Sequence, residues 1–290
     1  MQTEKPIKKI DLHMHSVISD GTDTPAEIIR NVRDAGIDLF SVTDHDAMKA
    51  CLIIRQVLKE DDPLFISGIE FSCKDEYGKY HILGYGYDPA AEAMRSIVQH
   101  GHNARIEKLG MRLEMLREKF GLTFSARDIA ELYANENPGK PHIANLMVMY
   151  GYVKDKEEGF SRYLNQIKLS NVNVRPEMAI DAVLKSGGIP VLAHPSYGSG
   201  DELFVGDEME DRLKRLIGFG LRGVEAFYST FLDKMTDEIL CFAEKYDLYV
   251  TAGSDYHGKN KLVRLGDNNL GDIHDAPAGL HRFLADVPMR

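Results

Sequence analysis

The sequence predicts an α/β protein: a barrel of mainly parallel strands that is interrupted by a helical insertion. Three observations lead to this prediction. Short apolar runs alternate with helix-like stretches along most of the chain. Histidines and carboxylates recur at or just after the ends of those runs. The length of 290 residues is enough for one large barrel or for two smaller domains.

Seven of the apolar runs are predicted to be β-strands, because each is short, apolar and bounded by polar or turn-forming residues. They cover residues 7–13, 38–43, 64–70, 80–85, 189–193, 223–226 and 249–252. Thr24, Pro25 and Glu27 form a capping-box pattern that begins a helix, which Gly36 ends. Further helices are predicted over residues 178–185 and 232–246. The alternation favours parallel strand pairing.

The segment from 98 to 175 breaks this alternation and is predicted to be a helical insertion. Ile106, Leu109, Leu113, Leu116 and Phe120 follow the 3,4,3,4 spacing of a long amphipathic helix. Shorter helices are expected over 125–133, 142–150 and 157–168. The insertion holds 12 Lys and Arg against 9 Asp and Glu, a net charge of +3, whereas the remainder carries −13. We therefore expect a metal-binding barrel over residues 1–97 and 176–290, with 98–175 as a substrate cap.

The composition excludes several protein classes. With 35 Lys and Arg against 45 Asp and Glu, the net charge is −10, which argues against binding to duplex DNA. Cys51, Cys73 and Cys241 are scattered, so neither a disulfide scaffold nor a thiolate zinc ribbon is expected. The chain begins without the apolar region of a secretory signal, and no segment is apolar enough to span a membrane. We expect a cytoplasmic protein without a membrane partner.

Side chains that bind divalent metals gather at the predicted strand ends. His13 and His15 are two residues apart, and an extended backbone points both to one face. In a barrel of parallel strands the carboxyl ends meet at one rim, where active sites form. The candidate metal ligands at this rim are His13, His15, Asp20, His45, Glu70, His81, His194, Asp255 and His257. A single strand-end histidine is more often a surface or core residue, so the prediction depends on the repetition of the pattern.

Nine nitrogen and oxygen ligands without a thiolate suit Zn²⁺, Mn²⁺ or iron, and they are too many for one ion. We therefore expect two to three divalent metal ions. Three ions would carry more positive charge than Asp20, Glu70 and Asp255 can balance, so the site should attract a phosphate ester and a hydroxide. Closely spaced metals lower the pKa of bound water, and the expected nucleophile is this metal-bound hydroxide.

Three acidic residues beside these ligands have two interpretations each. Asp44 and Asp46 flank His45, and they either orient an imidazole or belong to a solvated loop. Asp11 precedes His13 and could instead brace the floor of the barrel.

The motifs resemble those of a known family. Asp11-Leu-His13-Met-His15 with Asp20, Val42-Thr-Asp-His45-Asp, Gly68-Ile-Glu70, His81-Ile-Leu-Gly, Ala193-His194-Pro195 and Gly253-Ser-Asp255-Tyr-His257 are similar in order and spacing to the motifs of the PHP (polymerase and histidinol phosphatase) metallophosphoesterases. The resemblance covers about residues 8–260. It implies a distorted (β/α)7 barrel and a metal-dependent phosphoesterase.

The resemblance also implies how the ligands are shared among the ions. The first metal would take His13, His15, Glu70 and Asp255. Glu70 would bridge to a second metal that also takes His81 and His194. The third would take Asp20, His45 and His257.

The insertion is similar to one branch of the family. Arg105, Pro141-His142-Ile143-Ala144, Gly151-Tyr152-Val153 and Tyr163-Leu164 look like the stand-alone branch that contains nucleoside 3′,5′-bisphosphate phosphatases and 5′→3′ oligoribonucleotidases. Lys140 stands before Pro141, where that branch often has Arg. Because Lys lacks the two-pronged guanidinium, this difference affects substrate preference more than catalysis.

Substrate contacts are expected from the insertion. Arg105, Lys108 and Arg112 are at positions i, i+3 and i+7, so they form a basic stripe that either holds a second phosphate or is a solvated face. Arg105, Lys140 and His142 are the candidate substrate-binding residues. His142 is also a candidate general acid, with helix capping or packing as the alternative.

The predicted function is hydrolysis of a small nucleotide phosphate, with a nucleoside 3′,5′-bisphosphate losing its 3′-phosphate as the favoured reaction. The nearest alternative is a 5′→3′ phosphodiesterase that acts on short RNA. Histidinol phosphate phosphatase, an amidohydrolase and a non-catalytic metal- or nucleotide-binding module are the further alternatives. The amidohydrolases also begin with His-X-His, but Glu70 as bridge and His257 after Asp255 favour phosphoester chemistry.

Overall fold

The structure, a computed structural model, describes residues 6–135, 137–169, 173–197 and 203–289. Strands and helices alternate in the first and last parts of the chain, and a block of helices lies between them. The strands are β1 (Ile10–Asp11), β2 (Leu39–Phe40), β3 (Leu64–Phe65), β4 (Gly68–Asp75), β5 (Gly78–Tyr85), β6 (Ile189–Leu192), β7 (Gly223–Tyr228) and β8 (Tyr249–Gly253). The helices are α1 (Pro25–Asp34), α2 (Lys49–Val57), α3 (Glu92–Phe120), α4 (Ala126–Ala134), α5 (Lys140–Met149), α6 (Lys156–Arg162), α7 (Pro176–Lys185), α8 (Gly206–Gly218), α9 (Asp233–Lys245) and α10 (Ala278–Asp286).

The local signals for the start of α1 are confirmed. The Thr24 hydroxyl accepts a hydrogen bond from the backbone N–H of Glu27, and the Glu27 carboxylate accepts one from the backbone N–H of Thr24. These two bonds satisfy N–H groups that have no partner within the helix. Gly36 follows the helix with φ 66°, a left-handed conformation that glycine adopts without strain.

The strands form two sheets. One contains β1, β2 and β3, which pair in parallel. The other has the order β4-β5-β6-β7-β8, in which β6, β7 and β8 are parallel. Isolated parallel bridges connect the two sheets, between Met14 and Tyr256 and between His45 and Glu70. The chain is therefore an α/β protein whose strand ends at both junctions carry candidate ligands.

The expectation of parallel pairing is wrong for the middle of the second sheet. Strand β5 pairs antiparallel with both β4 and β6. The reason for the β4–β5 pairing is local. Only Glu76 and Tyr77 separate these two strands, and a two-residue connection can join only antiparallel strands. The predicted strand 64–70 is also two strands, since β3 ends at Phe65 and β4 begins at Gly68.

Helix α3 passes from the sheets into the helical block. Met94 and Ile97, near its start, belong to the large core that packs on the second sheet. Leu109 and Leu116, further along, belong to a separate apolar core formed by the helical block. The predicted boundary between residues 97 and 98 therefore lies inside one continuous helix of 29 residues.

Within the described ranges, no helix combines the length and the apolar character needed to cross a lipid bilayer.

Candidate metal centre

Glu70 lies at the centre of the predicted ligand set. Its Oε1 is 2.9 Å from Nδ1 of His81, 3.3 Å from Nε2 of His194 and 3.4 Å from Nε2 of His13. Its Oε2 is 3.0 Å from Nδ1 of His45 and 3.2 Å from Nε2 of His15. Both oxygens of one buried carboxylate thus face imidazole nitrogens, which is the arrangement that a bridging ligand requires.

Glu70 reaches this place differently from the prediction. It is the third residue of β4 rather than the end of a strand, and β4 continues to Asp75. The bridge between His45 and Glu70 places the segment that follows β2 beside the start of β4. His81 lies on the antiparallel β5, where it pairs with Ser72. The centre therefore combines strand ends with the interior of a hairpin.

The two aspartates of the predicted set extend the cluster. Oδ1 of Asp255 lies 3.3 Å from Nε2 of His15 and 3.5 Å from Nε2 of His13. Oδ1 of Asp20 lies 3.3 Å from Nε2 of His257 and 3.5 Å from Nδ1 of His15. All nine predicted ligands are therefore brought together by these contacts and those of Glu70.

Three overlapping groups of these residues place their ligand atoms within 4.8 Å of one another. They are His13, His15 and Glu70; His45, Glu70 and His81; and His15, Asp20, His45 and His257. The donor set fits divalent cations, because it combines imidazole nitrogen with carboxylate oxygen and contains no cysteine. The Nε2 atoms of His13 and His15 are buried beside carboxylate oxygens, but neither meets the geometry of a hydrogen bond with any described residue, so each nitrogen is available to bind a cation.

Electrostatics couple the imidazoles and the carboxylates. Burial lowers the pKa of His15, but the Asp255 and Glu70 carboxylates raise it more, to about 9. Burial raises the pKa of Glu70, but the surrounding histidines lower it well below its usual range. The opposed charges hold the cluster together, and a divalent cation that binds there replaces imidazole protons.

Three residues of the site have a strained backbone. Asp46, His194 and Asp255 adopt φ values of 49°, 27° and 57°, which are uncommon for residues other than glycine. Each such residue costs on the order of 1 kcal/mol or more and persists because its surroundings hold it. The backbone N–H of His194, for example, donates to a carboxylate oxygen of Glu225 at 2.9 Å.

Glu225 is a functional candidate that the sequence analysis missed. It lies on β7 with no exposed surface, and its Oε1 is 2.9 Å from Nδ1 of His13. A carboxylate that accepts from Nδ1 leaves Nε2 without a proton and able to bind a metal. A register shift between Glu225 and Phe227 marks a bulge, a feature that re-aims side chains near active sites. The sequence does contain a signal, because Glu225 is an ionisable residue inside an apolar strand.

The open interpretations of two acidic residues can now be compared with their contacts. Asp44 accepts hydrogen bonds from the hydroxyls of Ser16 and Ser19, and the Ser19 hydroxyl lies 3.3 Å from Nδ1 of His15. Asp44 is buried and braces His15 through a serine, so it is not in a solvated loop. Asp11 accepts from the backbone and the hydroxyl of Ser254, beside Asp255, which is a bracing contact.

Arg105 lies next to the cluster and is engaged by acidic and polar groups. Its Nε donates to Asp46 at 2.7 Å, and a terminal nitrogen donates to the Ser72 hydroxyl at 2.9 Å. The Ser72 hydroxyl is in turn 3.3 Å from Nδ1 of His45. Arg105 is thus one side chain away from a predicted ligand.

The basic stripe of α3 is not a fully solvated face. Lys108 and Arg112 are both half-buried, and the Nε of Arg112 is buried with no hydrogen-bond partner in the part of the chain that the structure describes. Burial and the nearby Arg105 lower the pKa of Lys108 to about 8 and that of Arg112 to about 10. Lys108 and Arg112 are therefore held here at a cost in stability, which favours a site for an anion.

The other two predicted substrate contacts, His142 and Lys140, lie at the start of α5. Nδ1 of His142 accepts a hydrogen bond from the backbone N–H of Gly139, so the capping contact is present. Burial lowers the pKa of His142, and the neutral ring therefore carries its proton on Nε2. Lys140 donates to the side chain of Asn165 at 2.8 Å. His142 lines a separate cavity of about 250 Å³ between α4 and α5.

A cavity of about 330 Å³ opens onto the ligand cluster. Its walls are His45, Glu70, His81, His194, Tyr197, Tyr228, Thr230, Asp255, His257 and Lys261. Tyr228 and Lys261 both donate to Oδ2 of Asp255, at 2.7 and 2.5 Å. The second oxygen of this carboxylate is thereby occupied, and Oδ1 is left to face the histidines. The fold and the site together define a metal-dependent hydrolase.

Comparison with known proteins identifies the family. The PHP domain pattern matches residues 11–171, more than half of the chain, and the chain belongs to this family. It is a metal-dependent phosphoesterase of the PHP type.

Three characterised relatives align over most of their length. The chain is 28% identical to a 5′-3′ exoribonuclease of Haemophilus influenzae, over 90% of this chain and 94% of that protein. It is 29% identical to a 3′,5′-nucleoside bisphosphate phosphatase of Chromobacterium violaceum, over 92% of each. It is 30% identical to a phosphoribosyl 1,2-cyclic phosphate 1,2-diphosphodiesterase of Eggerthella lenta, over 86% of this chain and 94% of that protein.

Two solved structures share the fold over nearly the whole chain. One is described as an amidohydrolase from Chromobacterium violaceum with bound sulfate and no metal; it has a TM-score of 0.80 and 26% identity and covers 97% of both chains. The other is described as a putative metal-dependent phosphoesterase from Bifidobacterium adolescentis, with a TM-score of 0.77, 27% identity and 98% of both chains covered.

Proposed function

We propose that this enzyme removes the 3′-phosphate from a nucleoside 3′,5′-bisphosphate and so produces a nucleoside 5′-monophosphate and phosphate. The observation that carries the proposal is the convergence of nine imidazole and carboxylate groups in one cluster, six of which line one cavity. Arg105, the first cation of the basic stripe on α3, contacts this cluster through the Ser72 hydroxyl. The relative from Chromobacterium violaceum, which is named a 3′,5′-nucleoside bisphosphate phosphatase, supports the substrate class.

Two to three divalent ions, Mn²⁺, Zn²⁺ or iron, would be held by the nine residues in the sharing that the family resemblance implies. Such ions lower the pKa of bound water and neutralise charge on phosphate oxygens. Glu225 orients His13, Ser19 with Asp44 orients His15, and Tyr228 with Lys261 orients Asp255. These contacts keep each ligand atom in place before a cation arrives.

The helical block, residues 98–175, is proposed to act as the substrate cap over a distorted (β/α)7 barrel built from 1–97 and 176–290. Arg105, Lys108 and Arg112 would attract the phosphate that does not react, because their mutual repulsion falls when an anion lies between them. His142 would donate a hydrogen bond from Nε2 to the substrate. Its lowered pKa makes it a better hydrogen-bond donor than general acid.

The test is a comparison of products. The metal-loaded enzyme should release phosphate from adenosine 3′,5′-bisphosphate at a kcat/KM at least about tenfold above that for adenosine 3′-monophosphate, because one charge-assisted contact has that worth. Equal turnover of the two nucleotides would contradict the bisphosphate assignment.

The second candidate is a 5′→3′ exoribonuclease, which the relative from Haemophilus influenzae favours. A short oligoribonucleotide assayed in parallel would then yield mononucleotides instead of free phosphate. Histidinol phosphate and a simple amide or lactone complete the panel, and hydrolysis of either in place of nucleotides would select the corresponding alternative. A metal-loaded protein that is inert on the whole panel would indicate a binding module.

A further inference from the structure

Lys261 lines the cavity that opens onto the ligand cluster. Neither the family motifs nor the sequence analysis singles out this residue. It follows the short 3₁₀ turn Gly258–Asn260, directly after His257. Two neighbouring residues anchor the turn. The backbone N–H of Lys259 donates to the Thr22 hydroxyl at 3.0 Å, and the Asn260 side-chain amide donates to the backbone carbonyl of Asp20 at 2.7 Å. The position of Lys261 is therefore set by the same loop that carries Asp20.

The Lys261 ammonium has donors to spare. It carries three N–H groups, and Oδ2 of Asp255 accepts one of them. Its side chain is 42% exposed, so the remaining donors are not enclosed by protein. Among the described residues that line this cavity, it is the one lysine or arginine. Tyr228 also holds Oδ2 of Asp255, so the orientation of that carboxylate does not depend on Lys261 alone.

The two kinds of phosphoester differ in what they offer to such a cation. A monoester dianion has three nonbridging oxygens and two charges, whereas a diester has two nonbridging oxygens and one charge. Divalent cations held by the histidine–carboxylate cluster would neutralise part of the phosphate charge in either ester. The third nonbridging oxygen of the monoester carries additional negative charge, and Lys261 is the one lysine or arginine among the described residues of the cavity wall that can donate to it.

We propose that Lys261 binds a nonbridging phosphate oxygen of the substrate and thereby determines a preference for phosphomonoesters over phosphodiesters. This inference rests on the proposed phosphatase function and names the residue that gives it monoester selectivity. The competing role is purely positional, in which Lys261 only holds Asp255.

The test compares two esters with the same leaving group, p-nitrophenyl phosphate and bis(p-nitrophenyl) phosphate. In Lys261→Met, kcat/KM for the monoester should fall about 10- to 150-fold, the worth of one hydrogen bond to a charged group, and the diester should lose less than about fivefold. Lys261→Arg keeps the charge and should recover part of the monoester activity. Lys259→Met is the matched control, because Lys259 lies two residues away in the preceding turn and is not among the residues that line the cavity.

A readout without turnover separates binding from positioning. Calorimetric titration of the metal-loaded protein with inorganic phosphate should show at least about tenfold weaker binding in Lys261→Met, and titration with dimethyl phosphate should show little change. Metal content, measured by elemental analysis, should stay equal to that of the parent protein. Equal losses for both esters, or a loss of bound metal, would assign Lys261 to Asp255 alone and overturn the inference.

The two proposals fail in different ways. A metal-loaded parent enzyme that releases no phosphate from adenosine 3′,5′-bisphosphate refutes the proposed function, and the phosphate and dimethyl phosphate titrations still decide the role of Lys261. A parent enzyme that is active, with variants that lose both esters equally, refutes only the inference about Lys261.

Discussion

The substitution Glu225→Gln tests whether a buried carboxylate prepares the metal centre. Glu225 has no exposed surface, and its two oxygens accept from Nδ1 of His13 and from the backbone N–H of His194, both at 2.9 Å. A glutamine has one acceptor oxygen, so it can serve only one of these donors. Either His194 loses its anchor, or the amide NH₂ faces His13 Nδ1 and places the imidazole proton on Nε2.

Both outcomes weaken metal binding by a calculable amount. A charge-assisted hydrogen bond of this kind is worth about 1.5 to 3 kcal/mol. Loss of a partner that orients a metal ligand typically costs about 10- to 100-fold in metal affinity, which agrees with that range. We expect Glu225→Gln to bind Zn²⁺ or Mn²⁺ about 10- to 100-fold more weakly than the parent protein, with the same side-chain volume and therefore an intact fold.

The assay is a competition titration of the metal-free protein against a chromophoric chelator, with circular dichroism to check folding. Glu244→Gln on α9 is the matched control, because Glu244 is exposed and lies on a different element from the metal cluster. Metal affinity of folded Glu225→Gln within twofold of the parent value would refute the argument that this carboxylate sets the His13 tautomer.

Three further predictions follow from the same contacts. Lys108→Met should raise the free energy of unfolding by about 1 to 2 kcal/mol at pH 7, because a half-buried ammonium with a pKa lowered to about 8 is removed. At that pH Lys108 is charged in both the folded and unfolded chains, so its full cost is present. As the pH rises from about 8 towards 10.5, Lys108 loses its proton in the folded chain before it does so in the unfolded chain, so the stability gained by the variant should shrink. A gain in the free energy of unfolding that stays the same between pH 7 and pH 9.5 in urea denaturation would contradict this. Arg105→Lys keeps the charge but loses the forked contact with Asp46 and Ser72, so chemical denaturation should show a loss of about 1 to 2 kcal/mol, and no loss would show that the fork is unimportant. Removal of divalent ions by a chelator should abolish phosphatase activity and lower Tm, and restored Mn²⁺ or Zn²⁺ at about 1,000 times its Kd should return about 4 kcal/mol of stability; a Tm that does not respond to metal would argue against cation binding at the cluster.

Several features of the fold are predictable from short sequence patterns. The capping box at Thr24 and Glu27 acts over three residues, and the structure confirms it. The apolar runs indicate the positions of the strands, because apolar side chains are removed from water in the core whatever the direction of the strand. The helical block also follows from local spacing, since Leu109 and Leu116 lie one above the other on α3.

The strand directions around Glu70 were not predictable in the same way. The sequence analysis ended that strand at Glu70, but β4 continues to Asp75 and turns back after two residues. The apolar pattern of a buried strand is the same in either direction, so it does not reveal whether the neighbour is parallel. The turn at Glu76 and Tyr77 lacks the Asn-Gly or Asp-Gly pair that marks most tight hairpins.

The amino-acid sequence by itself determined the nine candidate metal ligands and the family, because ligand chemistry is a property of residue type and the motifs keep their order along the chain. Only the tertiary structure decided which groups support those ligands. Glu225 meets His13 across 212 residues, and Arg105 meets Asp46 across 59. Lys261 enters the cavity wall through contacts of its turn with Thr22 and Asp20. Such partners depend on how distant segments pack, since hydrogen bonds act over about 3 Å in space and carry no mark in the local sequence.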